Sequence, residues 1–253
     1  MAGPAMNMTD ALDLPLPASE VALFLDIDGT LIEHRPHPTD AKADRELLDL
    51  LATASAKLSG ALALVTGRSI EMVDAMFAPL SLPVAGLYGL EHRLRTGDEA
   101  ELADEPADLA AIADALHREF HTVEGVYFER KGPVLAIHTR AAPAALPSVR
   151  RAAEAAIAQL TDRYRLVAGH AGIEFIPIEA LKGAAIQRFL EIAPFAGRRP
   201  IFIGDDVSDE NGFDYVNTHG GVSIRVKSSG ETAARHCLES VGAVHRFIGA
   251  LVT

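Results

Sequence analysis

The chain is 253 residues long, 49% hydrophobic and 23% charged, a size and composition that bury a substantial core and exclude disorder as the main state. Its 35 acidic against 23 basic residues give a net charge of -12, which argues against a nucleic-acid partner. The longest apolar runs, such as 21–25 and 61–65, fall far short of the roughly 20 residues of a membrane helix, and the single Cys237 excludes an internal disulfide and fits a reducing cytoplasm.

Residues 1–20 read as a proline-bearing leader without Lys or Arg, broken by Pro15 and Pro17, which does not match a secretory signal. Val21 to Leu25 is a continuous apolar run that predicts a buried strand, and it stops at a cluster of acids and a glycine. The stretch 42–57 has helical spacing, with Leu47, Leu48 and Leu51 on one stripe. A second buried strand is expected over 61–65, followed by Thr66-Gly67-Arg68-Ser69, where Ser69 can cap a helix from Ile70. Pro83 to Tyr88 supplies a third strand. Continuous apolar strands alternating with helices predict a parallel sheet covered on both faces.

The rhythm then changes. Leu109, Ile112, Leu116 and Phe120 have helical spacing, and short strands are expected at 126–129 and 134–138; an Ala-rich helix follows at 147–160, then strands near 165–168 and 173–176. This αββαββ order favours a small sheet with its helices on one side. From Lys182 the first rhythm returns, with a helix to Leu190, a strand at 200–203, an acidic turn, a helix, a strand at 221–226 and terminal helices. The expected architecture is therefore an α/β, doubly wound parallel core (1–103 and 179–253) interrupted by an inserted αββαββ cap at 104–178.

Four segments carry chemistry. Asp26-Ile27-Asp28-Gly29-Thr30 directly follows an apolar strand, where open α/β sheets place their ligands. Alternation lets Asp26 and Asp28 approach one locus while Ile27 points inward. Like charges held together need a cation or a shared proton, and phosphoryl transfer uses both, although a plain turn or helix cap is an equal reading of the pair alone. Gly204-Asp205-Asp206-Val207-Ser208-Asp209-Glu210 repeats the arrangement; four carboxylates within six residues call for a hard divalent cation, while capping of the next helix accounts for Glu210 and for Asp206. Thr66-Gly67-Arg68 ends another strand with a tight backbone approach and an anion-reaching side chain, or is an ordinary turn. Lys182-Gly183 opens a helix, where the dipole already disfavours a cation, so either an anion lies nearby or the lysine is exposed.

All four, in order, resemble the signature of the haloacid dehalogenase-like phosphohydrolases. The resemblance implies that Asp26 is a nucleophile forming an aspartyl-phosphate and that Asp28 is the general acid and then base. It implies that Thr66 and Lys182 hold the phosphoryl group, and that Asp26, the Asp28 backbone carbonyl and Asp205 bind Mg²⁺, with Gly67, Asp206 and Asp209 in support.

Only 38 positions separate Asp28 from Thr66, too few for a cap beside the expected helix and strand, whereas 116 separate Thr66 from Lys182. Inside that interval Glu129-Arg130-Lys131, Ala136-Ile137-His138-Thr139-Arg140 and Glu174-Phe175-Ile176-Pro177 are similar to segments of the trehalose-6-phosphate phosphatases, as is Gly86-Leu87-Tyr88-Gly89-Leu90-Glu91, with Tyr88 where a histidine is expected. By that resemblance Glu129, Lys131 and Glu174 grip sugar hydroxyls and Arg68 lies near the phosphate. Glu174, between Ile173 and Phe175, also points away from the buried side on alternation alone. The expected protein is a cytoplasmic, Mg²⁺-dependent trehalose-6-phosphate phosphatase of trehalose biosynthesis. Its partner is a small sugar phosphate, with no nucleic acid or membrane, and a monomer is slightly favoured. The alternatives are a phosphatase for another sugar phosphate, of the sucrose 6-phosphate or mannosylglycerate phosphate type, and a non-catalytic sugar-phosphate sensor.

Overall fold

In a computed structural model of the chain, the described residues are 6–7, 17–35, 40–102, 104–168, 172–227 and 230–253. Most of the expected leader falls outside them. In chain order the elements are β1 (Met6–Asn7), β2 (Val21–Leu25), α1 (Arg45–Lys57), β3 (Leu62–Val65), α2 (Ile70–Phe77), β4 (Val84–Gly86), β5 (Glu91–Arg93), β6 (Glu101–Leu102) and α3 (Ala107–Phe120). There follow β7 (Tyr127–Lys131), β8 (Val134–His138), α4 (Leu146–Ile157), β9 (Tyr164–Ala168), β10 (Gly172–Pro177) and α5 (Lys182–Leu190). The chain ends with β11 (Arg199–Gly204), α6 (Glu210–Thr218), β12 (Val222–Val226), β13 (His236–Leu238) and α7 (Val241–Leu251). It divides into two compact units, Met1–Glu101 with Leu181–Thr253, and Leu102–Ala180.

The first unit is built on one sheet of order β1-β13-β12-β11-β2-β3-β4-β5-β6. The pairs from β1 through β4 are all parallel, and β5 runs antiparallel to β4. All five residues of β2 are fully buried, as a strand covered on both faces must be, which is why this segment is apolar without alternation. From β2 the chain winds outward through β3 and β4, and after the insertion it winds the other way from β11 to β12 and β13. The winding therefore reverses between β2 and β11, and ligands bind beyond the carboxyl ends of strands at such a reversal. The strands expected from the sequence form there; α1 packs against α7, and α5 against α6.

Three boundaries differ from the sequence expectation. The first helix starts at Arg45 rather than Lys42 because the Asp44 carboxylate accepts the Leu47 amide at 2.9 Å and fixes the N-terminus. The expected 83–88 strand keeps only Val84–Gly86; Leu87 and Tyr88 then take positive φ of 48° and 60°, which ends extended pairing. The Ala-rich helix stops at Ile157 and tightens into a 3₁₀ turn over Ala158–Arg163, a common way to close a helix C-terminus. Ser69 caps α2 by accepting from the Met72 amide.

The second unit follows the αββαββ order as α3-β7-β8-α4-β9-β10. Its antiparallel sheet has order β7-β8-β10-β9. Leu109, Ile112, Leu116 and Phe120 of α3 and Val149 and Ala153 of α4 form its core with Leu135, Ile137, Ile173 and Phe175 of the sheet. Both helices lie on one sheet face, so the alternate strand residues, among them Glu129, Lys131, His138 and Glu174, project from the other.

Candidate active site

The acidic residues of the first unit meet where the winding reverses. Asp26 follows β2, its amide donating to the Ile203 carbonyl at 2.9 Å, so it lies beside the end of β11. Asp205 follows β11 directly. Gly29, at φ +76°, lets the loop after Asp28 pass so close that a Cβ there would lie 1.9 Å from an Asp205 oxygen. Gly204 is equally constrained, since its Cβ would fall 2.3 Å from the Asp209 carboxyl carbon. These are close approaches that only glycine permits.

Lys182 is the hub. Its Nζ donates to Asp26 at 2.7 Å and to Asp209 at 2.6 Å, with 2% of the lysine side chain and none of the Asp209 side chain exposed. Of the two readings of position 182, a nearby anion or an exposed lysine, the structure takes the first: two carboxylates offset the unfavourable dipole at the start of α5. Burial by itself would lower the Lys182 ammonium, but Asp209 and Asp26 outweigh it and hold the group above its ordinary value, firmly charged. Asp26 is raised, first by burial and then by the neighbouring charges of Asp209 and Asp205, against the pull of Lys182. Burial also raises Asp205, countered by the His34 contact.

Oxygens of Asp26, Asp205 and Asp209 lie within 4.8 Å of one another. This acidic cluster fits a hard divalent cation. The donors are all carboxylate oxygens, the Asp205 Oδ1 is buried without a hydrogen-bond partner, and the burial and neighbouring acids that raise Asp26 are what a cation there offsets. Asp209 is the most committed member, because its Oδ1 takes Lys182 while its Oδ2 accepts the amides of Asp205 and Asp206 at 3.0 Å each. It orients the turn as much as it offers a ligand.

The expected convergence of the Asp26 and Asp28 carboxylates takes a different form. Both Asp28 oxygens accept from Arg68, at 2.6 Å from Nε and 2.7 Å from Nη2, a planar two-pronged pairing that a guanidinium favours. Arg68 is thus placed on the second aspartate of the motif. Thr66 is buried after β3, its Oγ1 accepting the Arg68 amide at 3.2 Å. Gly67 is covered by the Tyr88 ring, which a Cβ would meet at 2.7 Å. Asp206 caps the turn into α6, completing a capping box with Asp209. Glu210, expected to cap the next helix, ties distant segments together by accepting from Arg225, Thr232 and the Ala233 amide. His34 escaped the sequence reading. It contacts Asp205 at 2.9 Å, and no periodicity or motif spacing marks it.

In the second unit a separate polar cluster lies on the sheet face opposite the helices. Glu129 holds Lys131 at 3.0 Å and His138 at 2.9 Å. Register sets Glu129 and Glu174 on either side of Ala136, about 10 Å apart across two strand spacings. The two glutamates shift in opposite senses. Burial raises Glu129, but the hydrogen bonds from His138 and Lys131 outweigh it and bring it below its ordinary value, whereas for Glu174 burial prevails over the pull of Lys131 and His138 and raises it.

A family model described as trehalose-phosphatase matches residues 24–241. The chain is 37% identical over 251 residues to the trehalose-6-phosphate phosphatase of Escherichia coli strain K12, covering 97% of this chain and 92% of that one. It is 41% identical over 205 residues to a probable trehalose-phosphate phosphatase of Sinorhizobium fredii, covering 81% and 77%. Among solved structures, the C-terminal domain of the C. albicans trehalose-6-phosphate phosphatase shares the fold with a TM-score of 0.74 at 20% identity, over 92% of this chain and 93% of that one. A haloacid dehalogenase-like hydrolase from Bacteroides thetaiotaomicron does so with a TM-score of 0.68 at 13% identity, over 91% and 98%. With the acidic cluster beyond β2 and β11, and a match that spans both units, the chain belongs to the trehalose-phosphatase family, on the haloacid dehalogenase-like fold.

Proposed function

We propose that the protein hydrolyses trehalose 6-phosphate to trehalose and inorganic phosphate with Mg²⁺, through a phosphorylated Asp26. The observation that carries this reading is the buried Asp26 carboxylate, held 2.7 Å from the Lys182 ammonium and grouped with Asp205 and Asp209. A carboxylate is repelled by a phosphate dianion, so it attacks only where positive charge is already in position. Lys182 supplies one such charge without reorganisation. Asp26, Asp205 and the Asp28 carbonyl would hold Mg²⁺, oriented by Asp209, and the ion when bound supplies charge neutralisation.

In the first step an Asp26 oxygen bonds to phosphorus as the bond to the sugar oxygen breaks, and Asp28 gives that oxygen its proton. In the second, Asp28 takes a proton from water while the water oxygen attacks phosphorus and the Asp26–phosphorus linkage breaks. Since both Asp28 oxygens accept from Arg68, donation requires the carboxyl to turn off the guanidinium, so the Arg68 pairing is a resting arrangement. Thr66 and Lys182 hold the transferring phosphoryl group. Glu129, Lys131 and Glu174 bind sugar hydroxyls, for which charged acceptors and donors are the suitable partners.

Phosphate release from a panel of sugar phosphates tests the reading. Trehalose 6-phosphate should be the best substrate, chelation should abolish turnover and Mg²⁺ should restore it. Equal or better turnover of sucrose 6-phosphate, mannosylglycerate phosphate or glucose 6-phosphate defeats the substrate assignment and spares the chemistry. Turnover without acyl-linked label at Asp26 defeats the mechanism.

A further inference from the structure

On the sheet face that carries Glu129, Lys131, His138 and Glu174 there is one large aromatic side chain to which the reaction above assigns no role. Tyr127 opens β7, the edge strand of that sheet, and is 63% exposed. Alternation along β7 turns Phe128 toward the hydrophobic core and Arg130 toward Asp114 of α3, leaving Tyr127, Glu129 and Lys131 on the opposite face. Tyr127 is paired in register with His138, and the two rings stack with centroids 5.9 Å apart and planes 25° from parallel. His138 is in turn fixed by its bond to Glu129. The phenol therefore has one face on the imidazole, and its orientation is tied to the same glutamate that anchors the polar cluster.

Next to this stacked pair the strands carry small residues. Ala136 separates Glu129 from Glu174, and Gly172 is the register partner of His138 on the far side from Tyr127. Two acids and a lysine thus stand around a floor of small residues, with an aromatic ring at one edge. A hydroxyl-rich ring presents polar groups around its rim and C–H groups on its faces. The rim suits the charged groups, while the faces need an apolar surface, which aromatic rings supply at low conformational cost. From this arrangement we infer that Tyr127 is a sugar-stacking residue. Its open ring face receives the C–H face of a pyranose ring of the substrate whose hydroxyls Glu129, Lys131 and Glu174 hold. The inference rests on the proposed function and adds to it a specificity-determining contact that discriminates ring-bearing from ringless phosphate esters.

The test uses the full chain with Mg²⁺ and two substrates, trehalose 6-phosphate and acetyl phosphate, which has no ring. Tyr127→Ala should raise KM for trehalose 6-phosphate roughly five- to twentyfold, the scale of one lost aromatic contact, with kcat falling less than about threefold. The ratio of kcat/KM between the two substrates should fall by at least that factor, and Tyr127→Phe, which keeps the ring and loses the hydroxyl, should restore KM to within about twofold. A Tyr127→Ala protein that keeps its KM, or that loses both substrates equally along with melting temperature, makes Tyr127 merely a cross-strand packing residue and overturns the inference alone. A wild-type protein that cleaves acetyl phosphate but no trehalose 6-phosphate removes the proposed function, and this inference with it.

Discussion

The two polar clusters of this protein are built on opposite physical terms. In the first unit Asp26, Lys182 and Asp209 are removed from water and satisfied by one another at 2.6 and 2.7 Å. In the second, Glu129, Lys131 and His138 make bonds of similar length with side chains 15% to 43% exposed. A buried charge network is preorganised, and it penalises the loss of any member, because the remaining charge has no water to turn to. A half-exposed cluster is worth little to stability and gives up its internal bonds readily when a ligand offers better ones. The contrast suits the proposed division of labour, in which one cluster performs bond chemistry and the other recognises hydroxyl groups.

The largest effect expected from breaking this contrast is on turnover. Asp26→Asn keeps the shape and an acceptor for Lys182 but removes the proposed nucleophile, and should lower kcat by roughly 10⁴-fold or more, about 5 kcal/mol of barrier, in a phosphate-release assay. Asp209→Ala should act on stability as well. It strips Lys182 of one carboxylate and leaves the Asp205 and Asp206 amides without their acceptor, a loss of about 3–5 kcal/mol in denaturant unfolding. If both clusters obeyed the same rules, Lys131→Ala would cost as much; it should instead change unfolding by less than about 1 kcal/mol.

A smaller effect sharpens the role of the Arg68 pairing with Asp28. Arg68→Ala should reduce kcat roughly 10- to 100-fold, because Asp28 loses the resting position from which it turns to the sugar oxygen, and Arg68→Lys should recover it only in part, since an ammonium cannot make the two-pronged contact. The smallest effect is in the pH dependence of stability, and it has opposite signs at the two glutamates of the second unit. Glu129 is held below its ordinary value of 4.5, so its contribution is complete above that value and is lost as pH falls through the lowered one. Glu129→Gln should flatten the fall in melting temperature below about pH 4.5. Glu174 is held above its ordinary value, so its ionisation opposes folding at neutral pH, and Glu174→Gln should raise the melting temperature at pH 7 relative to pH 4.

Much of the fold and part of the site were legible in the chain itself. β2, β3 and β11 are continuous apolar runs because both their faces are covered, and the insertion announces itself by a change of rhythm between Thr66 and Lys182. Asp26 and Asp205 could be found because each follows such a strand. Local pattern misled or fell silent wherever the partner is distant in sequence. Sequence alone leaves Lys182 between exposure and a nearby anion because its two acids are 156 and 27 positions away. Asp28 pairs with Arg68 across 40 positions and His34 with Asp205 across 171. Tyr127 sits on a strand where an aromatic residue is ordinary, and only the register that sets it on His138 singles it out.

The order of elements, the sites of strand ends and the kinds of side chain placed there follow from sequence alone, since burial on two faces and turn chemistry are written in short stretches of chain. Which charges neutralise one another, which carboxylate is clamped and which is left crowded were decided by the tertiary structure. Electrostatic energy depends on distance and on exclusion of water, and neither is set until segments far apart along the chain have packed together.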